Sequence, residues 1–277
     1  MRAAILQTCT GIDPVANAKA LADAITAAAA DGADMLFTPE MSGLLDRDRT
    51  RAAAHLAHEA DDAVLATACN AAAKAGLWVH LGSLALKSDG DGDNRLVNRG
   101  FVIDSSGAIR ARYDKIHLFD VDLPTGESWR ESAAYRPGTE AVAVDTPWGR
   151  LGLSICYDLR FPDLYRALSN AGAQMLAIPA AFTVPTGEAH WHVLLRARAI
   201  EAGCWVIAAA QGGVHADGRA TFGHSLVVNP WGSVVLDMGA ENGLGFAQVD
   251  PATVAEVRGR IPSLDHRRSI GTVEIAP

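Results

Sequence analysis

The chain has 277 residues, 49% of them hydrophobic and 20% charged, which is enough apolar material for a globular core. A formal net charge of −8 argues against binding to nucleic acid or anionic lipid through the electrostatic field of the whole protein. It is compatible with a local basic pocket for small anions. No apolar run approaches the roughly 20 residues of a membrane helix, and the apolar N-terminal stretch is too short for a signal peptide. The four cysteines form no Cys-x-x-Cys pair. We therefore expect free thiols and a cytoplasmic protein with no nucleic-acid or membrane partner.

Alanine-rich helices and short strands of Val, Ile and Leu are predicted in alternation along the chain. The helices are expected at about 14–31, 60–75, 161–171 and 188–203. The strands are expected at about 3–8, 34–38, 77–84, 99–104, 108–113, 150–155, 174–178, 204–210, 224–229 and 233–237. A polar turn is expected at 87–94. This interleaving indicates an α/β fold.

A faint internal repeat divides the chain into two similar halves. Three segments recur in the same order, and the matching pairs are 32–39 with 172–179, 76–79 with 203–206, and 101–107 with 226–232. The first strand of the second half, 151–155, then corresponds to 3–7. Two such halves, each a sheet with helices on one face, would pack sheet to sheet. We therefore expect a four-layer α-β-β-α sandwich with internal pseudo-duplication, in a single domain over 1–277.

Cys156 is a candidate nucleophile because it follows a buried strand and precedes the helix start signalled by Pro162. A thiol at such an elbow lies near backbone N–H groups that can receive an oxyanion. Glu40 ends another strand in apolar surroundings, where burial is expected to raise its pKa towards that of a useful base. The other three cysteines lack polar neighbours, and we interpret them as core residues.

Lys115 follows the strand at 108–113 and is a candidate for the cation that stabilises a thiolate and an oxyanion, since a free thiol has a pKa of about 8.5. Glu131 would offset Lys115 and help to position water, and Glu127 competes for that role. His190 and His192, with His215 and His224 further along the chain, could suggest zinc. Residues two apart on a helix do not share a face, so we expect no metal site.

Three segments together resemble the signature motifs of the nitrilase superfamily of carbon–nitrogen hydrolases. They are Pro39-Glu40, 113–120 (YDKIHLFD) and 156–162 (CYDLRFP). The resemblance continues through 187–201 and 223–232, so it covers essentially the whole chain. It implies the same α-β-β-α sandwich, a homodimer or higher homo-oligomer, and no cofactor.

The resemblance also implies a mechanism. Glu40 would deprotonate Cys156, the thiolate would form a thioester with a small amide, and Lys115 and the Tyr157 N–H would bind the oxyanion. Water activated by Glu40 and oriented by Glu131 would then release the acid, after ammonia has left.

The segment 208–215, with Arg219 and 223–225, resembles the Nit-type branch that acts on deaminated glutathione. Arg160, Phe182 and Thr183 would join Tyr157 in binding a small acidic substrate, or Arg160 would form an ion pair with Asp158 or Asp163. The alternatives are an omega-amidase acting on alpha-keto acid amides, a carbamoylase, a true nitrilase, or a catalytically silent binding scaffold.

Overall fold

The computed structural model describes residues 1–88, 92–122, 126 and 128–276, and within these ranges it contains two large sheets with helices. The strands are β1 (Arg2–Gln7), β2 (Met35–Phe37), β3 (Trp78–Lys87), β4 (Leu96–Ile103), β5 (Ile109–Asp114), β6 (Asp120–Asp122), β7 (Ser128–Arg130), β8 (Ala143–Thr146), β9 (Gly149–Leu153), β10 (Met175–Ala177), β11 (Trp205–Ala208), β12 (Gly212–Val214), β13 (Ala220–Phe222), β14 (Leu226–Val228), β15 (Val234–Asp237) and β16 (Gly243–Gln248). The helices are α1 (Pro14–Ala30), α2 (Arg49–Ala53), α3 (Ala63–Ala75), α4 (Pro162–Asn170), α5 (Val184–Ala202) and α6 (Ala252–Arg260).

The two large sheets have equivalent strand orders, and this confirms the predicted duplication. One runs β16-β1-β2-β3-β4-β5 and the other runs β8-β9-β10-β11-β14-β15. In each, three neighbouring strands are parallel (β1 to β3, and β9 to β11), and an antiparallel strand flanks the first of them. Within the described ranges, β6 pairs with β7 and β12 with β13 in two small ribbons.

Alternation along the first sheet separates two layers of apolar packing. Ile5 and Phe37 point into a core shared with the second sheet, whereas the intervening Ala4 and Leu36 pack with α1 and α3 on the outer face. The period-2 geometry of strands places successive side chains on opposite faces. The second sheet carries α4 and α5, whose Leu168 and Leu195 pack in the same connected apolar cluster as the buried side chains of that sheet. The architecture is therefore the predicted four-layer α-β-β-α sandwich.

Local sequence explains where the helices begin and end. Asp13 caps α1 by accepting a hydrogen bond from the Val15 N–H at 2.9 Å. Alanine, the strongest helix former, fills most of α1 and α3. Helix α5 begins at Val184, four residues before the predicted start, because a proline suits its first turn.

Part of the predicted polar turn at 87–94 lies outside the described residues. No helix in the described part of the chain is long and apolar enough to cross a membrane.

Candidate active site

Cys156 lies at a sharp elbow between β9 and α4, as predicted. A 3₁₀ turn, Cys156–Arg160, follows the strand and leads into the helix. The backbone of Cys156 has φ +50°, in the left-handed region that a side chain rarely adopts. Its N–H donates to the Pro179 carbonyl at 2.8 Å. The surrounding structure therefore holds the thiol in a strained position, a feature that clusters at functional sites.

Glu40 follows β2 and its buried carboxylate is surrounded by donors. Oε1 accepts hydrogen bonds from Lys115 Nζ and Asn98 Nδ2, each at 2.9 Å. Oε2 accepts from the Ala181 N–H at 3.0 Å. The carboxylate also hydrogen-bonds the Cys156 thiol. The side chains of both halves of the fold therefore meet at Glu40.

Lys115 directly follows β5 and forms ion pairs with two carboxylates. Its Nζ lies 2.9 Å from Glu40 Oε1 and 2.9 Å from Glu131 Oε2. The Phe119 N–H also donates to Glu131 Oε2, at 2.6 Å, which fixes that carboxylate. The structure thus brings together all four residues predicted to be catalytic. Glu127, the competitor for the position of Glu131, lies outside the described residues.

The charges of this cluster define its resting state. Burial acts to raise the pKa of Glu40, but the adjacent Lys115 ammonium and hydrogen bonds from Cys156 and Asn98 outweigh it, so the pKa is below its ordinary value. The expectation of a raised Glu40 pKa was therefore wrong, because the lysine is in direct contact. Burial and the Glu40 charge hold the pKa of the Cys156 thiol well above its usual range. Burial works against the Lys115 charge, but Glu131 and Glu40 raise the pKa of that ammonium well above normal. At neutral pH the site holds a thiol, a carboxylate and an ammonium.

Asp158 connects the Cys156 elbow with the segment that carries Lys115. Its fully buried Oδ2 accepts from the Ile155 N–H at 2.9 Å and from the Tyr113 hydroxyl at 2.7 Å. Oδ1 accepts from the His117 N–H at 3.0 Å and lies 2.7 Å from His117 Nδ1. Tyr113 and His117 flank Lys115 by two residues on each side. Asp158 therefore sets the distance between the two segments.

Gly82 allows the backbone to pass beneath the Glu40 turn. A methyl group at this position would lie 2.1 Å from the Thr38 carbonyl oxygen and 2.5 Å from that of Pro39. Glycine is the residue that permits such close approach of two backbones.

A cavity of about 960 Å³ opens onto the cluster. Cys156, Glu40, Lys115 and Glu131 all line it. So do three of the predicted substrate-binding residues, which are Tyr157, Phe182 and Thr183.

Arg160 lies behind this lining. Its guanidinium is 5.9 Å from the Tyr157 ring centre, 5.5 Å from that of Phe182, and hydrogen-bonded to His190. Asp158 is occupied by the contacts described above and Asp163 pairs with Arg166, so neither forms the suggested ion pair with Arg160.

The outer part of the cavity is rich in cations. Outside the catalytic cluster, its lining contains six basic side chains and two acidic ones. The basic residues are Arg47, Arg49, Lys87, Arg95, Arg130 and Arg219, and the acidic residues are Asp46 and Asp93. Arg95, Arg130 and Arg219 are paired with aspartates. Within the described residues, Arg47, Arg49 and Lys87 have no carboxylate partner. A locally basic cavity in an acidic protein attracts anionic ligands.

Two groups in the site were missed from the sequence, the Asn98 side chain and the Ala181 N–H. Asn98 is a fully buried polar residue within the apolar strand β4, and such an interruption is a usable signal for a functional position. A single backbone N–H leaves no comparable signal, since every non-proline residue carries one.

Comparison with known proteins identifies the family. The family model described as carbon-nitrogen hydrolase matches residues 2–259. The chain belongs to the carbon-nitrogen hydrolase family. It is accordingly a hydrolase that acts on carbon–nitrogen bonds other than peptide bonds, in the amidase group of the nitrilase superfamily.

Relatives of this carbon-nitrogen hydrolase include a human protein named deaminated glutathione amidase, 40% identical over 96% of this chain and 81% of its own length. The NitFhit fusion protein of Caenorhabditis elegans is 40% identical over 96% of this chain, and this chain spans 60% of the fusion. The crystal structure of NitFhit superposes with a TM-score of 0.88, covering 65% of that chain.

An amidase from Nesterenkonia sp. AN1 is 27% identical and superposes with a TM-score of 0.77 over 95% of this chain and 98% of its own. The superposed structure is a glutamate-to-glutamine mutant of that amidase, described as showing Michael addition of acrylamide at the active-site cysteine. A reactive cysteine is therefore found within this fold in a relative.

Proposed function

We propose that this protein is a cysteine-dependent amidase in which Cys156 is the nucleophile, Glu40 the general base and acid, and Lys115 the oxyanion-binding cation. One observation carries the proposal. The Lys115 ammonium pairs with the Glu40 carboxylate at 2.9 Å, the Cys156 thiol hydrogen-bonds the same carboxylate, and all three residues line the wall of a large cavity.

In the first half-reaction, Glu40 accepts the thiol proton as Sγ of Cys156 attacks the amide carbonyl carbon. Negative charge develops on the carbonyl oxygen, where Lys115 Nζ and the Tyr157 N–H stabilise it. That N–H belongs to the first turn of the 3₁₀ segment, whose N–H groups lack acceptors within the helix. Glu40 then gives its proton to the departing amine nitrogen, the C–N bond breaks, and a thioester remains on Cys156.

In the second half-reaction, Glu40 takes a proton from water as the water oxygen attacks the thioester carbon. The second tetrahedral intermediate collapses, the C–S bond breaks, and the proton returns to the thiolate. Glu131 holds Nζ of Lys115 through both oxygens, so the cation remains aimed at the reacting centre throughout. Glu40 carries the proton in each of these steps. Its lowered pKa keeps the carboxylate ionised, so that it can accept the first proton.

We further propose a substrate with carboxylates on both sides of the scissile amide, such as deaminated glutathione. Three cations of the outer cavity, Arg47, Arg49 and Lys87, have no carboxylate partner among the described residues and suit a ligand carboxylate placed away from the thiol. In deaminated glutathione the amide nitrogen belongs to a dipeptide, so that substrate would release a dipeptide amine. A primary amide such as alpha-ketoglutaramate would release ammonia.

The test measures turnover of both compounds, with amine and ammonia detected separately, for the wild-type protein and Cys156→Ala. We expect turnover to fall by at least about 1,000-fold in the variant, as for loss of a catalytic nucleophile. Cys69→Ala, at a half-buried cysteine outside the site, is the matched control and should retain activity. A Cys156→Ala enzyme that retained full turnover would refute the mechanism.

The ratio of the two activities separates deaminated glutathione amidase from omega-amidase. Replacing Lys87 or Arg49 with Gln should raise KM for the longer diacid by about two- to fivefold, the range of an exposed ion pair. The shorter alpha-ketoglutaramate should be less affected. Equal KM values in wild type and both variants would contradict the assigned substrate class. Assembly as a homodimer or higher homo-oligomer remains a prediction from the family resemblance, and a cytoplasmic location remains a prediction from the cysteine pattern.

A further inference from the structure

Three side chains with metal-binding chemistry meet outside the catalytic cavity, where α5 packs against β14. His192 lies on α5, His224 precedes β14, and Asp237 ends β15. His192 Nε2 is 2.8 Å from Asp237 Oδ2, and His224 Nδ1 is 2.9 Å from Oδ1 of the same carboxylate. The ligand atoms of all three residues lie within 4.8 Å of one another. None of the three takes part in the proposed reaction.

The surrounding contacts hold these side chains in place. The Phe222 ring stacks on His224 at 4.4 Å and meets His192 edge-on at 6.2 Å. The Gly239 N–H donates to Asp237 Oδ1 at 2.9 Å, which orients the carboxylate. An outer ring of such contacts is what positions metal ligands in known sites.

The backbone at His224 is also fixed on both sides. Its N–H donates to the Gly239 carbonyl at 2.7 Å, and its own carbonyl accepts from Trp191 Nε1 at 2.8 Å. These contacts maintain φ +52°, a left-handed conformation that is unusual for a residue with a side chain. The constraint aims the imidazole at Asp237.

We propose that His192, His224 and Asp237 form a binding site for a divalent transition-metal ion, with Zn²⁺ as the best match. Two imidazoles and one carboxylate are a ligand set that Zn²⁺ uses in open sites, where water takes the fourth position. The side chains are 35%, 29% and 34% exposed, so an ion can enter and water can complete its coordination. Mg²⁺ and Ca²⁺, which prefer all-oxygen ligands, would not be held here.

The sequence-based expectation of no metal site rested on the pair His190 and His192, which lie two residues apart on one helix. His190 and His192 do not act together, because His190 contacts Arg160. His192 instead meets residues 32 and 45 positions later in the chain. A bound ion would join α5 to the β14–β15 hairpin at one edge of the second sheet.

The experiment uses tag-free protein, since a polyhistidine tag would itself bind the probe ion. Zn²⁺ is titrated calorimetrically and the melting temperature is followed with and without Zn²⁺, Mg²⁺ or Ca²⁺. We expect one equivalent of Zn²⁺ to bind and to raise the melting temperature, because an ion that binds only the folded state stabilises it. Mg²⁺ and Ca²⁺ should have no effect.

Co²⁺ serves as a spectroscopic probe that distinguishes this site from the cysteines. Its absorption spectrum should lack the sulfur-to-metal charge-transfer band that thiolate ligation produces. Such a band for the stoichiometric ion would place the metal on a cysteine and overturn the proposal.

The variants His192→Gln and Asp237→Asn should each weaken Zn²⁺ affinity by at least about tenfold, the lower range even for supporting residues of metal sites. His190→Gln is the matched control on the same helix and should bind normally. Circular dichroism confirms that each variant is folded. Absence of Zn²⁺ binding to the wild type, or equal affinity in all three variants, would show that the cluster is a hydrogen-bonded network only.

Discussion

Replacing Asp158 with Asn tests whether this buried carboxylate holds the nucleophile and the cation in register. Each oxygen of Asp158 accepts from one backbone N–H, that of Ile155 on one side and that of His117 on the other. An asparagine amide has one accepting oxygen, so either orientation must place its NH₂ group against a backbone N–H. One backbone donor is then left buried without an acceptor.

The magnitude follows from that lost contact. A hydrogen bond to a charged group contributes about 1.5–3 kcal/mol, and a buried donor without an acceptor costs about 1–3 kcal/mol. We expect the free energy of unfolding of Asp158→Asn to fall by about 3 kcal/mol. The elbow and the Lys115 segment should also shift apart, and a displacement of about 1 Å lowers turnover on the order of 100-fold.

Urea unfolding and steady-state kinetics measure the two effects separately. Asp163→Asn makes the same chemical change at a side chain that is 83% exposed and paired with Arg166. The free energy of unfolding of that control should fall by no more than about 1 kcal/mol, and its turnover should be unchanged. An Asp158→Asn protein with the stability and kcat of the control would refute the reasoning.

Four further predictions concern the site and its support. Lys115→Met leaves two buried carboxylates facing each other without a cation, and should lower the free energy of unfolding by about 3–5 kcal/mol in denaturant titrations; an unchanged midpoint would contradict this. Gly82→Ala forces a methyl group to 2.1 Å from the Thr38 carbonyl oxygen and should lower the free energy of unfolding by at least about 1–3 kcal/mol. An unchanged free energy of unfolding would show that the backbone relaxes freely. Burial lowers the pKa of His80 from 6.5 to about 3, so only the unfolded chain gains the proton between these values. Stability is unaffected by His80 above pH 6.5 and falls by up to about 1.4 kcal/mol per pH unit below it. This slope should be smaller in His80→Leu. Turnover requires ionised Glu40 and protonated Cys156, so kcat/KM should be flat through neutral pH. The lowered pKa of Glu40 places the acid limb below the ordinary range of a glutamate, and the raised pKa of Cys156 places the alkaline limb above that of a free thiol. An ionisation near pH 7 would contradict the assigned charges.

Strand and helix periodicity predicted the interior of the fold better than its edges. The central strands of both sheets were anticipated because they are short apolar runs flanked by turns. The outer strand β16, which contains Gly243 and Gly245, was not. Glycine has low strand propensity, and this strand forms only because it pairs with β1, almost the whole chain away. Such a contact is a tertiary one and leaves little local pattern.

The candidate site shows the same division. Cys156, Glu40 and Lys115 could be predicted because each has distinctive side-chain chemistry at the end of a strand. The direction in which the Glu40 pKa shifts could not be predicted. It depends on the distance between Glu40 and Lys115, which only the folded chain sets. The ion pairs first suggested for Arg160 failed for a similar reason, because Asp158 is fully used by other donors.

The duplicated architecture assigns one part of the chemistry to each half. Glu40 and Lys115 come from the first half and Cys156 from the second. At the equivalent positions the repeat places Ala180 opposite Glu40, by the 140-residue offset, and Thr8 opposite Cys156. Each half thus lacks what the other supplies. During biosynthesis a chain with only one half formed would carry a carboxylate without its thiol or a thiol without its base, so the complete catalytic cluster arises only once the two sheets have docked.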